Sequence, residues 1–136
     1  MSNYGLRVLD PDECRAALKT QRVGRVAVPA AGHPVVLPVL YAVLDDDVIF
    51  RTAPGEKLIA AALHRVVAFE IDEFDPVRRT GWSVNVIGPV EEIVDSRELA
   101  RAEELGLDPW AGELRNRFVR IRATDITGRA IDPSNT

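Results

Sequence analysis

Cysteine is nearly absent from this 136-residue chain: Cys14 stands alone, so no internal disulfide and no thiol metal cluster can be built from one copy. A reducing cytosol is the expected compartment. Histidine is almost as scarce. His33 falls in a turn and His64 near the end of a short helix, which leaves no metal triad and no Ser-His-Asp arrangement in view. No apolar run approaches the ~20 residues that span a bilayer, and no basic segment followed by an apolar core opens the chain, so a soluble, unexported, cytoplasmic protein is expected. Positive charge is not in excess either. A net charge of -4 and a pI near 5.2 argue against nucleic acid or an anionic membrane surface as partner. Lysine is rare too: Lys19 and Lys57 are the two among 17 basic residues, and the rest are arginine.

What is present is a core's worth of apolar residues, 46 % of the chain, in a length that suits a single domain over residues 1–136. Asp10-Pro11-Asp12-Glu13 supplies an N-cap, a first-turn proline and a Glu three residues after the cap, and predicts a short helix to about Thr20. Cys14, Ala17 and Leu18 share one side of it, which makes Cys14 core filler rather than nucleophile. Strands are expected at Arg22–Pro29 and Val35–Val43, joined by the Ala30 to Pro34 turn. Pro38 assigns the second to an edge or bulge, where no ladder N–H is needed. Asp45-Asp46-Asp47 lacks the glycine and distal Glu of a calcium loop and reads as a solvated turn.

Next, Asp47 to Leu58 reads as a short strand ending in Arg51-Thr52, a Pro54-Gly55 turn and a helix with Lys57 in its first turn. Guanidinium, hydroxyl, ammonium and the N–H groups of a helix start could there converge on one phosphate. Further strands are expected at Val66–Asp72, at Thr80–Val94 with a bend at Gly88-Pro89, and at Arg117–Ile131. Helical turns are expected from Asp95 to about Leu105 and at Asp108-Pro109. Short turns join most of the strands. That favours an antiparallel barrel with peripheral helices over parallel βαβ units.

Four segments carry a resemblance: Phe50-Arg51-Thr52 with Gly55-x-Lys57-Leu58, Gly81-Trp82-Ser83-Val84-x-Val86-x-Gly88, Pro109-Trp110-Ala111-Gly112, and Ile126-Thr127-Gly128-Arg129. In this order, over residues 10 to 131, they resemble the flavin-binding split-barrel family related to pyridoxamine 5'-phosphate oxidase. The resemblance implies a mainly β fold, a six-stranded antiparallel split barrel with small peripheral helices. It also implies a homodimer with FMN in a groove between the subunits. On that basis the phosphate ligands carry over onto Arg51, Thr52 and Lys57. Ring contacts carry over onto the strand backbones at Val39, Leu40 and Tyr41 and at Trp82 and Ser83. Trp82 and Ser83 point to opposite sides of their strand, so one of them serves through backbone alone. Leu40 departs from the family, where a polar residue, often Asn, precedes an aromatic. The C-terminal segment that grips substrate in true pyridoxamine phosphate oxidases is not recognisable. The implied activity is an FMN-dependent oxidoreductase exchanging hydride with a small-molecule substrate, with no catalytic side chain named. The deazaflavin F420 as cofactor, or a flavin-binding or sensing module without turnover, are the alternatives.

Overall fold

The computed structural model describes residues 6–52, 56–107 and 117–131. Strand β1 (Leu6–Val8) leads into helix α1 (Pro11–Leu18). The hairpin β2 (Val23–Ala30) and β3 (His33–Leu44) is followed by β4 (Asp47–Thr52) and α2 (Lys57–Ala62). A second long hairpin, β5 (Val66–Asp75) and β6 (Thr80–Glu92), is followed by α3 (Ser96–Glu103), β7 (Arg117–Ile121) and β8 (Asp125–Ile131). The strands lie in the order β1-β8-β6-β5-β2-β3-β4-β7, and the end of β6 pairs with β7. That last pairing closes β6, β5, β2, β3, β4 and β7 into a six-stranded antiparallel barrel. The three helices among the described residues are small and peripheral, as the sequence led one to expect.

Closure depends on one corner. The first half of β6 pairs with β8, from Gly81 opposite Ile131 to Ile87 opposite Asp125, whereas Val90 to Glu92 pair with β7. The switch falls at Gly88-Pro89. There Arg122 N–H donates to the Pro89 carbonyl at 3.0 Å and Thr124 N–H to the Ile87 carbonyl at 3.1 Å. A Cβ on Gly88 would collide with the carbonyl oxygen of Arg122, so only glycine lets the two chains approach this closely. The same corner corrects the expectation of one strand from Arg117 to Ile131. The chain turns at 122–124 and serves β4 and β6 before the turn, β6 and β1 after it.

Inside the barrel sit Val26, Val28, Val48, Phe50, Phe69, Ile71, Val84 and Val86, all fully buried. Tyr41 joins them, its ring edge-on to Phe69 at 4.8 Å and its hydroxyl donating to the Leu18 carbonyl at 2.6 Å. Helix α1 closes one end through Cys14 and Leu18, starting from the expected capping box between Asp10 and Glu13. Burial pushes the Cys14 thiol up from its ordinary value, with the Asp10 and Glu13 carboxylates adding to the effect, as befits a packing residue. A smaller cluster of Ile49, Ile93, Ala102 and Phe118 seats α3 on the outside of β4 and β7.

The proline in β3 behaves as its chemistry requires. From His33 to Leu40 that strand pairs with β2, whereas β4 joins it from Tyr41 onward, so Pro38 lies where one edge is free. The acidic turn is a two-residue hairpin loop with Asp45 and Asp46 at positive φ. Asp45 takes a double hydrogen bond from Arg101 and Asp46 an ion pair from Arg15. No helix among the described residues is long and apolar enough to cross a membrane.

Candidate functional site

On the outside of the barrel a groove of about 410 Å³ runs between β3 and the segment after α3. It is lined by Leu40 to Val43 on one side, Leu105 to Leu107 on the other, and Lys19, Gln21 and Arg22 at one end. That volume lies within the range of small-ligand sites. Its floor is apolar because β3 presents Leu40 and Ala42 outward while Val39 and Tyr41 turn into the core. Tyr41 thus borders the groove through its main chain, and its N–H is bonded to the Arg22 carbonyl at 3.0 Å. Burial pushes the Tyr41 phenol up to about 12, so it is a neutral hydrogen-bond donor throughout the physiological range.

Arg51 reaches the rim of this groove through Leu107, one of its lining residues. In β4 it alternates with the buried Phe50 and so lies outside the barrel, opposite Phe118 of β7. Its guanidinium carbon lies 4.8 Å above the Phe118 ring, and Nη1 donates to the Leu107 carbonyl at 2.5 Å. Its Nε is buried with no hydrogen-bond partner among the described residues. Such a group is costly unless something accepts from it.

The other expected phosphate ligands lie elsewhere. Thr52 borders a narrow crevice with Glu56, Ile59, Arg117 and Val119, and Lys57 is exposed on the first turn of α2. The helix start is also less open than expected: the Glu56 carboxylate caps it, accepting from Leu58 N–H at 2.8 Å. The N–H groups foreseen for a phosphate are in part satisfied by the chain itself. Pro54, Gly55 and the segment Asp108-Pro109-Trp110-Ala111-Gly112 lie outside the described residues.

Trp82 and Ser83 lie on the first half of β6, opposite Glu73 and Asp72 of β5. Trp82 is partly buried and packs against the main core, bordering a separate cavity with Phe74 and Thr80, while Ser83 faces outward. Strands β2 and β5 lie between Leu40 and Ser83 in the sheet. Three strand spacings, about 14 Å, therefore separate the two groups within one chain. The structure brings Leu40 and Tyr41 to one groove and ties Arg51 to its rim through Leu107. It leaves Val39 in the core and Trp82 and Ser83 on another part of the sheet. Lys19 and Arg22, which add positive charge to the groove, were not singled out from sequence. The end of the first helix gave no periodic signal for them. Among the described residues no group of three or more His, Cys, Asp or Glu side chains could hold a metal ion.

The family model for pyridoxamine 5'-phosphate oxidase matches residues 10–130. This chain belongs to that family. A curated relative, an uncharacterised protein of Mycobacterium tuberculosis, is 38 % identical over 134 residues, covering 94 % of this chain and 88 % of its own. Among solved structures, the FAD binding protein from Mycobacterium smegmatis is similar at 35 % identity and a TM-score of 0.82, over 92 % of this chain and 99 % of that one. A FAD-binding protein from Mesorhizobium loti is similar at 29 % identity and a TM-score of 0.75, over 93 % and 99 %. The family membership rests on nearly the whole barrel, from the α1 cap to β8.

Proposed function

We propose that this protein is an FMN-dependent oxidoreductase that works as a cytoplasmic homodimer on a small-molecule substrate. The observation that carries the reading is Arg51, whose buried Nε has no partner among the described residues and whose Nη1 is bonded to Leu107 in the wall of a groove with an apolar floor. A phosphate-bearing flavin supplies both things the groove lacks: an anion for the guanidinium and a flat apolar body for Leu40 and Ala42. The names of the Mycobacterium smegmatis and Mesorhizobium loti proteins support a flavin.

When bound, the flavin supplies hydride exchange at N5. The chain's own residues bind and orient it. Arg51 holds the phosphate, with Thr52 and Lys57 as further donors where their side chains turn toward it. Leu40 gives the ring an apolar floor and no side-chain hydrogen bond. Contacts from Trp82 and Ser83 come from a second copy, since about 14 Å of sheet separates them from Leu40 in one chain. That spacing supports a site shared between subunits. The outer sheet face supports a dimer as well. Of the eight large hydrophobic side chains exposed among the described residues, Val8, Val23, Val36, Val66, Phe74 and Ile131 all lie on it. Exposed apolar side chains gathered on one sheet face suit a protein interface.

The test is to purify the full chain and identify any bound flavin by chromatography after release. Anaerobic reduction with NADPH or with reduced F420, followed by a panel of acceptors, then reads the activity. Uptake of FMN with turnover from NADPH is expected. Reduction by reduced F420 alone would move the reading to the deazaflavin. Tight flavin with no acceptor turned over would make the protein a binding module. Equal affinity for FMN and riboflavin would overturn the phosphate site.

A further inference from the structure

On the outer sheet face that the dimer reading covers, exposed apolar side chains share the surface with a cluster in which two carboxylates meet a single guanidinium. Glu70 and Asp72 are two apart on β5 and point the same way, outward, between Arg25 of β2 and Ser83 and Asn85 of β6. Arg25 Nη1 lies 3.6 Å from Glu70 Oε1 and 3.8 Å from Asp72 Oδ2, so one guanidinium serves two carboxylates. The cluster carries one uncompensated negative charge. Among the described residues its surroundings offer no second cation within ion-pair reach. Beside Arg25, β2 presents Val23 and Ala27, β6 presents Ser83 and Asn85 opposite the two carboxylates, and β3 beyond β2 presents Pro38 and Leu40. The next cation on this face is Arg129 of β8, exposed and two strands from Asp72. Beyond it lies Val8 of β1.

Covering this face with a second copy would take the cluster out of water. One guanidinium balances only one of the two carboxylates, so desolvation leaves the pair with an excess negative charge that a proton shared between the two carboxyl groups removes. We propose that Arg25, Glu70 and Asp72 form a proton-operated latch of the subunit interface. Each protomer takes up a proton there as two copies pack face to face, so the dimer tightens as pH falls and loosens as it rises. This rests on the dimer reading above. Already in the single chain, burial first, then a hydrogen bond and the negative charge shared with Asp72, outweigh Arg25 and push the Glu70 carboxyl up to about 7. Covering it moves the same balance further in the same direction. The sign follows from linkage: the dimer binds more protons than two free chains, so raising pH through the range above about 7 favours dissociation. The groove binds its flavin with residues of both subunits, and flavin retention falls with the dimer.

Dissociation of the purified full chain is measured between pH 6.5 and 8.5. Sedimentation on dilution reads it, or the rate of subunit exchange between two fluorescently labelled populations where dilution leaves the dimer intact. Over that range the wild type should dissociate at least about tenfold more readily at the high end. Glu70→Gln, which removes the charge and keeps the shape, should hold the same dissociation at both ends, and Asp72→Asn should flatten the response in the same way. Circular dichroism confirms that both variants are folded. A wild-type response that is flat, or that runs the other way because Arg129 of a second copy pairs with the carboxylates, overturns the latch and leaves the dimer standing. A Glu70→Gln response identical to the wild type's overturns it too. A wild type that is monomeric at every pH sinks the dimer reading itself, and the latch with it.

Discussion

Arg51 Nη1 donates to the carbonyl of Leu107 at 2.5 Å, across 56 positions of sequence, and so ties strand β4 to the segment after α3. One side of the groove is thereby held by the residue assigned to the ligand's phosphate. Hydrogen bonds to charged groups contribute about 1.5 to 3 kcal/mol each, so Arg51→Ala should weaken FMN binding at least tenfold and leave riboflavin binding nearly unchanged. Fluorescence titration of both flavins checks this. Lys57→Ala tests the ammonium in the same way, and wild-type FMN affinity in a folded variant would remove that residue from the site.

The alternation of β3 separates two leucines that the sequence places three apart. Leu37 packs against the main core, whereas Leu40 is on the outer face beside the groove. Leu40→Glu should therefore give a folded monomer that has lost its flavin, by light scattering and absorbance. Leu37→Glu forces a charge toward the core at about 4 kcal/mol or more and should give little soluble protein. A dimeric, flavin-loaded Leu40→Glu protein would place the interface elsewhere.

Gly88 faces the carbonyl of Arg122 with no room for a methyl group. Gly88→Ala has to push two backbones apart at the barrel corner and should cost at least about 2 kcal/mol in urea unfolding. A change below about 0.5 kcal/mol would show that the corner between β7 and β8 gives way freely.

The Tyr41 hydroxyl is buried against the Leu18 carbonyl. Tyr41→Phe leaves that carbonyl unpaired and should cost about 1 to 3 kcal/mol. The folded phenol titrates at about 12, above the ordinary 10, so its contribution to stability is complete below pH 10 and is lost as pH rises through 12. Phenolate absorbance, taken as the difference between wild type and Tyr41→Phe, should therefore appear at about pH 12 or with alkaline unfolding. A step near 10 in the folded protein would contradict the burial.

Strand positions, the α1 capping box, the edge role of Pro38 and the bend at Gly88-Pro89 were legible from sequence because each depends on near neighbours: a two-residue alternation, a missing N–H, a carboxylate three residues from a cap. The motifs around Arg51 and Gly81-Trp82 were enough to indicate the family, which the match over residues 10–130 bears out. Other features depended on partners far along the chain. The break between β7 and β8 exists because β6 changes neighbour at Gly88, and no local pattern in 117–131 records that switch. Glu56 looks like any surface acid until the fold shows its carboxylate capping α2. Lys19 and Arg22 reach the groove only because α1 ends beside β3, and Glu70, Asp72 and Arg25 form one cluster only because β2 and β5, more than forty residues apart, pair in that register. Sequence determined which residues could bury, cap and bend. The long-range register decided which charges face one another, because Coulomb and hydrogen-bond energies depend on distance in space, and the folded sheet sets those distances.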